Sequence, residues 1–159
     1  MWSPGLRNNR IAGFTLIELM MVVAILATLA AIAAPSYRDI LLKIKQDNVI
    51  SELKGIEQTI SNFEAEHGRL PTSLAEAGIN KKDPWGNPYQ FILIKDQPLT
   101  GPGKVKPRKD RNLHPLNSDY DLWSMGPDGK TQLALTAKAS HDDIIRARDG
   151  GYFGDGKDF

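Results

Sequence analysis

The sequence predicts an α+β protein in which one long N-terminal α-helix packs against a small antiparallel β-sheet. Two observations support this prediction. An unbroken apolar run is followed by apolar residues at helical spacing, and beyond residue 68 short apolar runs alternate with turn residues. We therefore divide the 159 residues into a leader (1–13), an apolar half-helix (14–34), an amphipathic half-helix (35–67) and a globular β-domain (68–159).

Composition narrows the classes of function. The formal net charge is +1, which gives no overall attraction to nucleic acid or to acidic lipid. The sequence contains no cysteine, so an exported domain of this chain has no disulfide to stabilise it. A small domain of that kind needs oligomerisation or a metal ion instead.

The apolar run at 14–34 carries a single charge, Glu18. As a helix rising about 1.5 Å per residue, it is long enough to cross the roughly 30 Å of bilayer hydrocarbon. A lone charged side chain at the centre of such a helix costs on the order of 2.5–3.5 kcal/mol, which marks Glu18 as a functional residue. Cleavage between Gly13 and Phe14 would create an amine one helical turn away, and Glu18 could pair with that amine on a neighbouring copy.

An ordinary cleavable secretory signal is the alternative for this region. Arg7 and Arg10 would form its charged region, and Ala31-Ile32-Ala33 would be its cleavage site. The apolar run is longer than the usual 7–15 residues of such signals, and it contains Glu18. Both features favour a retained membrane helix.

The segment Gly13-Phe14-Thr15-Leu16-Ile17-Glu18-Leu19 resembles the prepilin signal of the type IV pilin superfamily without a mismatch. The resemblance implies that a prepilin peptidase cuts after Gly13 and that the new N-terminal residue, Phe14, is N-methylated. It implies that Glu18 directs subunit docking in a homo-oligomeric helical filament. It also implies a single pass through the bacterial inner membrane and assembly on a platform in that membrane.

The helix is predicted to continue beyond the apolar run as an amphipathic half. Five apolar residues step by four, three, four and three positions and so occupy one helical face: Val49, Leu53, Ile56, Ile60 and Phe63. Gly68 and Pro71 indicate where the helix ends. Pro35 either kinks the helix or stops it, and the resemblance to pilins favours a continuous, kinked helix.

The globular part is predicted to contain two strands, at 89–94 and 120–125, separated by a long loop at 95–118. The sheet should pack on the amphipathic half of the helix. This packing is expected to bury four side chains, Phe63, Trp85, Phe91 and Leu122.

Two turn motifs narrow the resemblance. They are Asp83-Pro-Trp-Gly-Asn-Pro-Tyr89 and Asp121-Leu-Trp-Ser-Met-Gly-Pro-Asp-Gly129, and together they resemble the major pseudopilins of type II secretion. This family implies a structural subunit of a pseudopilus, with its globular domain in the periplasm and with minor pseudopilins as partners.

The same family implies one bound Ca²⁺. By resemblance, Asp128 and Asp143 supply its carboxylates, with Asp142 beside them and the Met125 carbonyl as a further ligand. The stretch 130–139 departs from the glycine-rich pattern of the family. The same aspartates also fit caps of turns, or of a helix that starts near Ser140, and both interpretations stay open.

Chemistry elsewhere in the sequence does not indicate an enzyme. There is no zinc-protease, phosphate-loop or dinucleotide motif, and we predict no catalytic residues. The basic cluster at 104–111 contains no aromatic residue to stack bases, so we interpret it as a solvated loop and not as a nucleic-acid site. Two other functions stay open: a type IV pilin of a surface pilus, which usually has a C-terminal disulfide, and an exported soluble binding protein.

Overall fold

A computed structural model describes residues 13–111 and 113–159 of the chain. The leader predicted at 1–13 lies outside this range apart from Gly13. The chain forms one long helix, α1 (Leu16–His67), and then a four-stranded sheet. The strands are β1 (Gln90–Leu93), β2 (Tyr120–Ser124), β3 (Ile144–Ala147) and β4 (Tyr152–Asp155). The predicted α+β architecture is confirmed.

The chain divides into two units, one that ends at Leu41 and one that spans Leu42–Phe159. In the first unit, α1 runs through Pro35, so the continuous helix is confirmed and the helix stop is wrong. The helix contains an 18-residue window of mean hydropathy 2.5, none of which is buried. By length and composition, this part of α1 can cross a membrane.

In the second unit, the amphipathic part of α1 buries one stripe. Val49, Leu53, Ile56 and Ile60 are all buried, because their spacing of three and four residues places them on one side of the helix. They pack against one face of the sheet, which contributes Tyr120, Leu122 and Ile144. Of the four side chains expected in the core, Leu122 is fully buried, whereas Phe63, Trp85 and Phe91 are half-buried.

The sheet has the order β1-β2-β3-β4, and every neighbouring pair is antiparallel. All five residues of β2 are buried. The reason is that α1 covers one face, while on the other face strand residues and loop residues form a second apolar cluster. This cluster contains Leu116, Trp123, Leu135, Ile145 and Ala147. The sheet is therefore the middle of three layers.

A buried arginine ties the helix to the sheet. Arg146 in β3 is 4 % exposed. Its Nε donates to Glu57 of α1 at 2.7 Å, and its Nη2 donates to Asp119 at 2.7 Å. Its Nη1 donates to Asp119 at 2.8 Å and to the backbone oxygen of Tyr120 at 3.1 Å. Since each charged donor has an acceptor, the cost of burying this charge is offset.

Two of the four strands, β1 and β2, were predicted from the sequence. The first two strands lie within one residue of their predicted ends, and the described residues between them contain no helix or strand. The hairpin of β3 and β4 was not predicted. Its tight turn places Arg148, Asp149 and Gly150 at positive φ, where glycine is favoured.

Candidate functional site

The segment that precedes the helix forms a capping box. Thr15 stands directly before the first residue of α1, and Glu18 is three residues further on. The Thr15 backbone N–H and hydroxyl both donate to Glu18 Oε2, at 2.9 and 2.7 Å. The Glu18 N–H donates back to the Thr15 hydroxyl at 3.3 Å. This reciprocal pattern satisfies N–H groups that the first turn of a helix leaves unpaired.

Glu18 is exposed in this arrangement, as is Phe14. Within the described residues, the hydrogen bonds to its carboxylate all go to Oε2, and Oε1 accepts none. The carboxylate can therefore keep its bonds to Thr15 while its second oxygen is available to another partner. That geometry suits a charge that has to meet a cation on another molecule.

The second candidate region is built from the two turn motifs, which bond to each other. Asp83 is buried, and its Oδ1 accepts from the backbone N–H groups of Trp85 and Asn87, which closes the first turn. Its Oδ2 accepts from the Ser124 hydroxyl at 2.7 Å. The Asn87 side chain donates to the backbone oxygen of Gly126 at 3.0 Å. The two motifs thus form one structural unit at the end of β2.

We call residues 125–143, which link β2 to β3, the connecting loop. Its two ends approach closely at Gly126, which has a φ of 63°. A Cβ there would lie 2.1 Å from the backbone oxygen of Asp142. Glycine is required on both counts, because other residues rarely adopt this φ and no side chain fits the space.

Two of the aspartates predicted to hold calcium lie together. The Asp128 N–H donates to Asp142 Oδ2 at 3.2 Å. Asp128 is exposed, and its Oδ1 accepts from the Lys130 N–H at 2.8 Å. Asp128 therefore caps a turn, which was one of the two interpretations left open. Met125, the fourth predicted ligand, follows β2 directly and is half-buried.

Asp143 lies in a different environment. Its side chain is fully buried, and its Oδ2 accepts from Arg108 Nη2 at 2.6 Å and from the Thr131 hydroxyl at 2.7 Å. Burial raises the pKa of the Asp143 carboxyl, and the guanidinium of Arg108 opposes that rise. Burial likewise lowers the pKa of Arg108. The charge of Asp143 and its hydrogen bond oppose that fall and favour the charged form of the guanidinium.

These residues, as arranged, do not fit a calcium ion. Calcium takes six to eight oxygen ligands, so several carboxylates have to converge. Among the residues that the structure describes, no group of three or more His, Cys, Asp or Glu side chains could hold a metal. One carboxylate oxygen of Asp143, Oδ2, already faces the positive charge of Arg108. The other, Oδ1, is buried and accepts no hydrogen bond from the described residues. Calcium binding stays a prediction, and its test is given below.

Two residues of these regions were not identified from the sequence. Thr15 could have been found, because Thr-x-x-Glu before an apolar run is the sequence pattern of a capping box. Arg108 could not, because it stands among basic residues that are exposed, including Lys106, Lys109 and Arg111. The interpretation of this cluster as a solvated loop is wrong for Arg108, which is 1 % exposed.

The N-terminal segment also matches a known family model. Residues 8–34 match the prokaryotic N-terminal methylation motif. This match covers Gly13, Phe14 and Glu18 and the whole apolar run at 14–34. No solved structure gives a significant match to the chain.

Curated proteins similar to the chain fall into two groups. A fimbrial protein of Neisseria meningitidis serogroup B is 37 % identical over 148 residues, which covers 88 % of this chain and 85 % of that protein. The type IV major pilin protein PilE1 of Neisseria gonorrhoeae is also 37 % identical, over 90 % of this chain and 88 % of that protein. The type II secretion system core protein G of Klebsiella pneumoniae is 27 % identical, over 86 % of this chain and 94 % of that protein.

Proposed function

Because the chain belongs to the family of type IV pilins and pseudopilins, we propose that it is the major structural subunit of a type II secretion pseudopilus. The chain is a subunit that assembles with copies of itself, and it has no catalytic role. Its first unit anchors it in the inner membrane by a single pass. Its globular unit lies in the periplasm and forms the outer surface of the filament.

The observation that carries this proposal is the bonded pair of turns. The two motifs that resemble major pseudopilins are joined by the Asp83–Ser124 and Asn87–Gly126 hydrogen bonds, so they act as one element. The absence of cysteine also supports it, because the pilins of surface pili usually carry a C-terminal disulfide. In addition, the Klebsiella pneumoniae core protein G is matched over 94 % of its length.

Assembly starts from the N-terminal segment. Prepilin peptidase removes residues 1–13, and Phe14 becomes the methylated N-terminus. Its amine then lies near the carboxylate of Glu18, which is the single charge of the apolar run. Pairing of Glu18 with the amine of a neighbouring copy fixes the register between two helices, since a buried charge without a partner is strongly unfavourable. Minor pseudopilins and the inner-membrane platform complete the set of partners.

A second candidate is a type IV pilin of a surface pilus, with a role in adhesion, motility or DNA uptake. The 37 % identity to the Neisseria proteins favours it, because it exceeds the identity to core protein G. Both candidates share the fold, the processing and the docking step. They differ in whether the filament stays in the periplasm, as a pseudopilus does, or extends from the cell surface, as a pilus does.

Deletion of the gene in its host separates the two candidates. If the chain builds a pseudopilus, proteins normally released to the medium accumulate inside the deletion strain, and a plasmid copy restores their release. Surface pili, counted by electron microscopy, stay at the wild-type number. Normal release together with loss of surface pili would overturn the proposal and establish the second candidate.

Processing has its own test. We expect the mature chain to begin at Phe14 and to be heavier than residues 14–159 by the mass of one CH₂ unit, because a methyl group replaces one hydrogen atom. Mass spectrometry of the intact protein measures this difference. A Gly13→Leu variant should keep residues 1–13, because it removes the glycine that precedes the proposed cut. A mature chain that begins at Ala34 would show an ordinary signal peptide and contradict the pilin pathway.

A further inference from the structure

The basic segment, residues 104–111, contains one residue that does not behave like its neighbours. Arg108 has almost no exposed surface, and its guanidinium lies 4.7 Å from the centre of the Trp123 ring. A buried arginine is rare, because its charge has to be removed from water. The residue must therefore be held by interactions that offset that cost.

Those interactions come from three separate segments of the chain. The Arg108 backbone N–H donates to Asp121 of β2 at 2.5 Å. Its guanidinium donates to Asp143, just before β3, at 2.6 Å and to Thr131 in the connecting loop at 3.3 Å. Arg108 therefore links the strand that precedes the connecting loop to the middle and to the end of that loop.

Thr131 shows how closely the three segments are connected. Its hydroxyl donates to Asp143 and accepts from Arg108 and from the Trp123 indole N–H, the last at 3.1 Å. Backbone bonds run alongside it, since the Lys109 N–H donates to Leu133 and the Leu135 N–H donates to Lys109, both at 2.9 Å. The basic segment therefore runs beside the connecting loop, and Lys109 pairs with Ala134 in an isolated parallel bridge.

The charges explain why a cation is needed at this point. Asp143 is fully buried, and a buried carboxylate without a positive partner is strongly destabilising. The connecting loop has no disulfide to hold it, because the sequence contains no cysteine. In the part of the chain that the structure describes, Arg108 is the one residue that forms an ion pair with Asp143.

We propose that Arg108 is the built-in cation of the connecting loop, and that its guanidinium fills the position beside Asp143 that a bound metal ion would need. The loop then folds without calcium. The sequence did not indicate a function for the basic segment. In this proposal the segment positions the guanidinium of Arg108 against the connecting loop. This inference is independent of whether the filament is a pseudopilus or a surface pilus.

The first test measures calcium dependence of the full mature chain in detergent micelles. Thermal unfolding is followed by tryptophan fluorescence, with calcium chloride or with a chelator present. We expect equal midpoints, and no heat of binding when calcium is titrated into the protein in a calorimeter. A calcium site filled at about 100 times its Kd would raise the midpoint by several degrees. Such a rise would overturn the proposal.

The second test removes the cation. Arg108→Met should lower the midpoint by roughly 10–20 °C, because it leaves Asp143 buried and unpaired. Arg111→Met removes an exposed charge from the same segment and should leave the midpoint unchanged. An Arg108→Met midpoint equal to that of Arg111→Met would contradict the proposed role.

A double variant keeps the test decisive if Arg108→Met does not fold. Arg108→Met with Asp143→Leu replaces the buried pair by apolar side chains of similar size, which is often neutral for stability. We therefore expect the double variant to fold and to recover most of the lost midpoint. A double variant less stable than Arg108→Met alone would show that the two residues act separately, which would also overturn the proposal.

Discussion

The two halves of α1 use apolar residues in opposite ways. From residue 16 to residue 34 every residue is exposed, including large side chains such as Leu26 and Leu29 at 59 %. Further along, Val49, Leu53 and Ile60 have no exposed surface at all. The first half is apolar on all sides and needs partners from outside the chain, whereas the second half has one apolar stripe that the sheet covers. Periodicity, more than hydrophobicity, separates the two.

The largest effect is expected from a change to Glu18, the one charged residue of the first half. Replacement of Glu18 by Ala should leave membrane insertion intact, because it removes a costly charge from the apolar run. It should abolish filament formation, because the docking partner of the Phe14 amine is lost. Filaments sheared from cells that overexpress the variant are counted by electron microscopy and immunoblotting.

Thr15→Ala is the matched variant, since it removes the capping hydroxyl and keeps the carboxylate of Glu18. It should weaken the start of α1 by about 0.5–2 kcal/mol and still allow filaments to form. Filaments of wild-type abundance from Glu18→Ala would show that this carboxylate has no docking role. Loss of filaments from Thr15→Ala alone would show that capping, and not docking, is what assembly needs.

The second test compares the same substitution in the two halves. Leu53→Ala removes a fully buried side chain and should lower the free energy of unfolding of the second unit by about 2–5 kcal/mol. Leu26→Ala changes an exposed residue of the first half and should stay within roughly 0.5 kcal/mol of the wild type. Guanidinium unfolding in detergent, followed by tryptophan fluorescence, measures both. Equal losses would mean that the two halves belong to one cooperative core.

Sequence patterns predicted the elements whose evidence is local. The buried stripe of α1 repeats every three or four residues, and the first two strands are apolar runs between turns. A short window of sequence contains all that is needed for such predictions. The capping box at Thr15 and Glu18 is local as well, since its two residues stand three positions apart.

The missed features depend on residues that are distant in the sequence. β3 has only four residues and contains Arg146, which argues against a buried strand when it is read locally. Its burial is explained by Glu57, which is 89 residues away, and by Asp119. Arg108 is likewise explained by Asp143, at a separation of 35 residues. A local pattern cannot indicate which of several basic residues will meet a buried carboxylate.

The smallest expected effect concerns the hydrogen bonds that join Arg69 and Thr72 to Glu76, just beyond the end of α1. We call these three residues the clasp. The Glu76 carboxylate accepts from Arg69 Nη2 at 2.5 Å and from the Thr72 N–H and hydroxyl at 2.6 and 2.8 Å. The hydrogen bond from Arg69, followed by those from Thr72, lowers the pKa of Glu76 to about 2.

A lowered carboxyl pKa sets the direction of the pH dependence. The contribution of Glu76 to stability is present above its pKa in the unfolded chain, about 4.5. It is lost as the pH falls from there towards 2, because the folded form must then take up a proton that it binds weakly. The effect is small, since the group is exposed to solvent and its ion pair is screened.

Glu76→Gln should therefore flatten the fall in thermal midpoint between pH 4.5 and pH 2. Glu66→Gln, on an exposed residue near the end of α1, controls for the loss of one negative charge. If the two variants lose stability with falling pH to the same extent, the clasp does not hold the end of the helix, and the second half of α1 is fixed by its buried stripe alone.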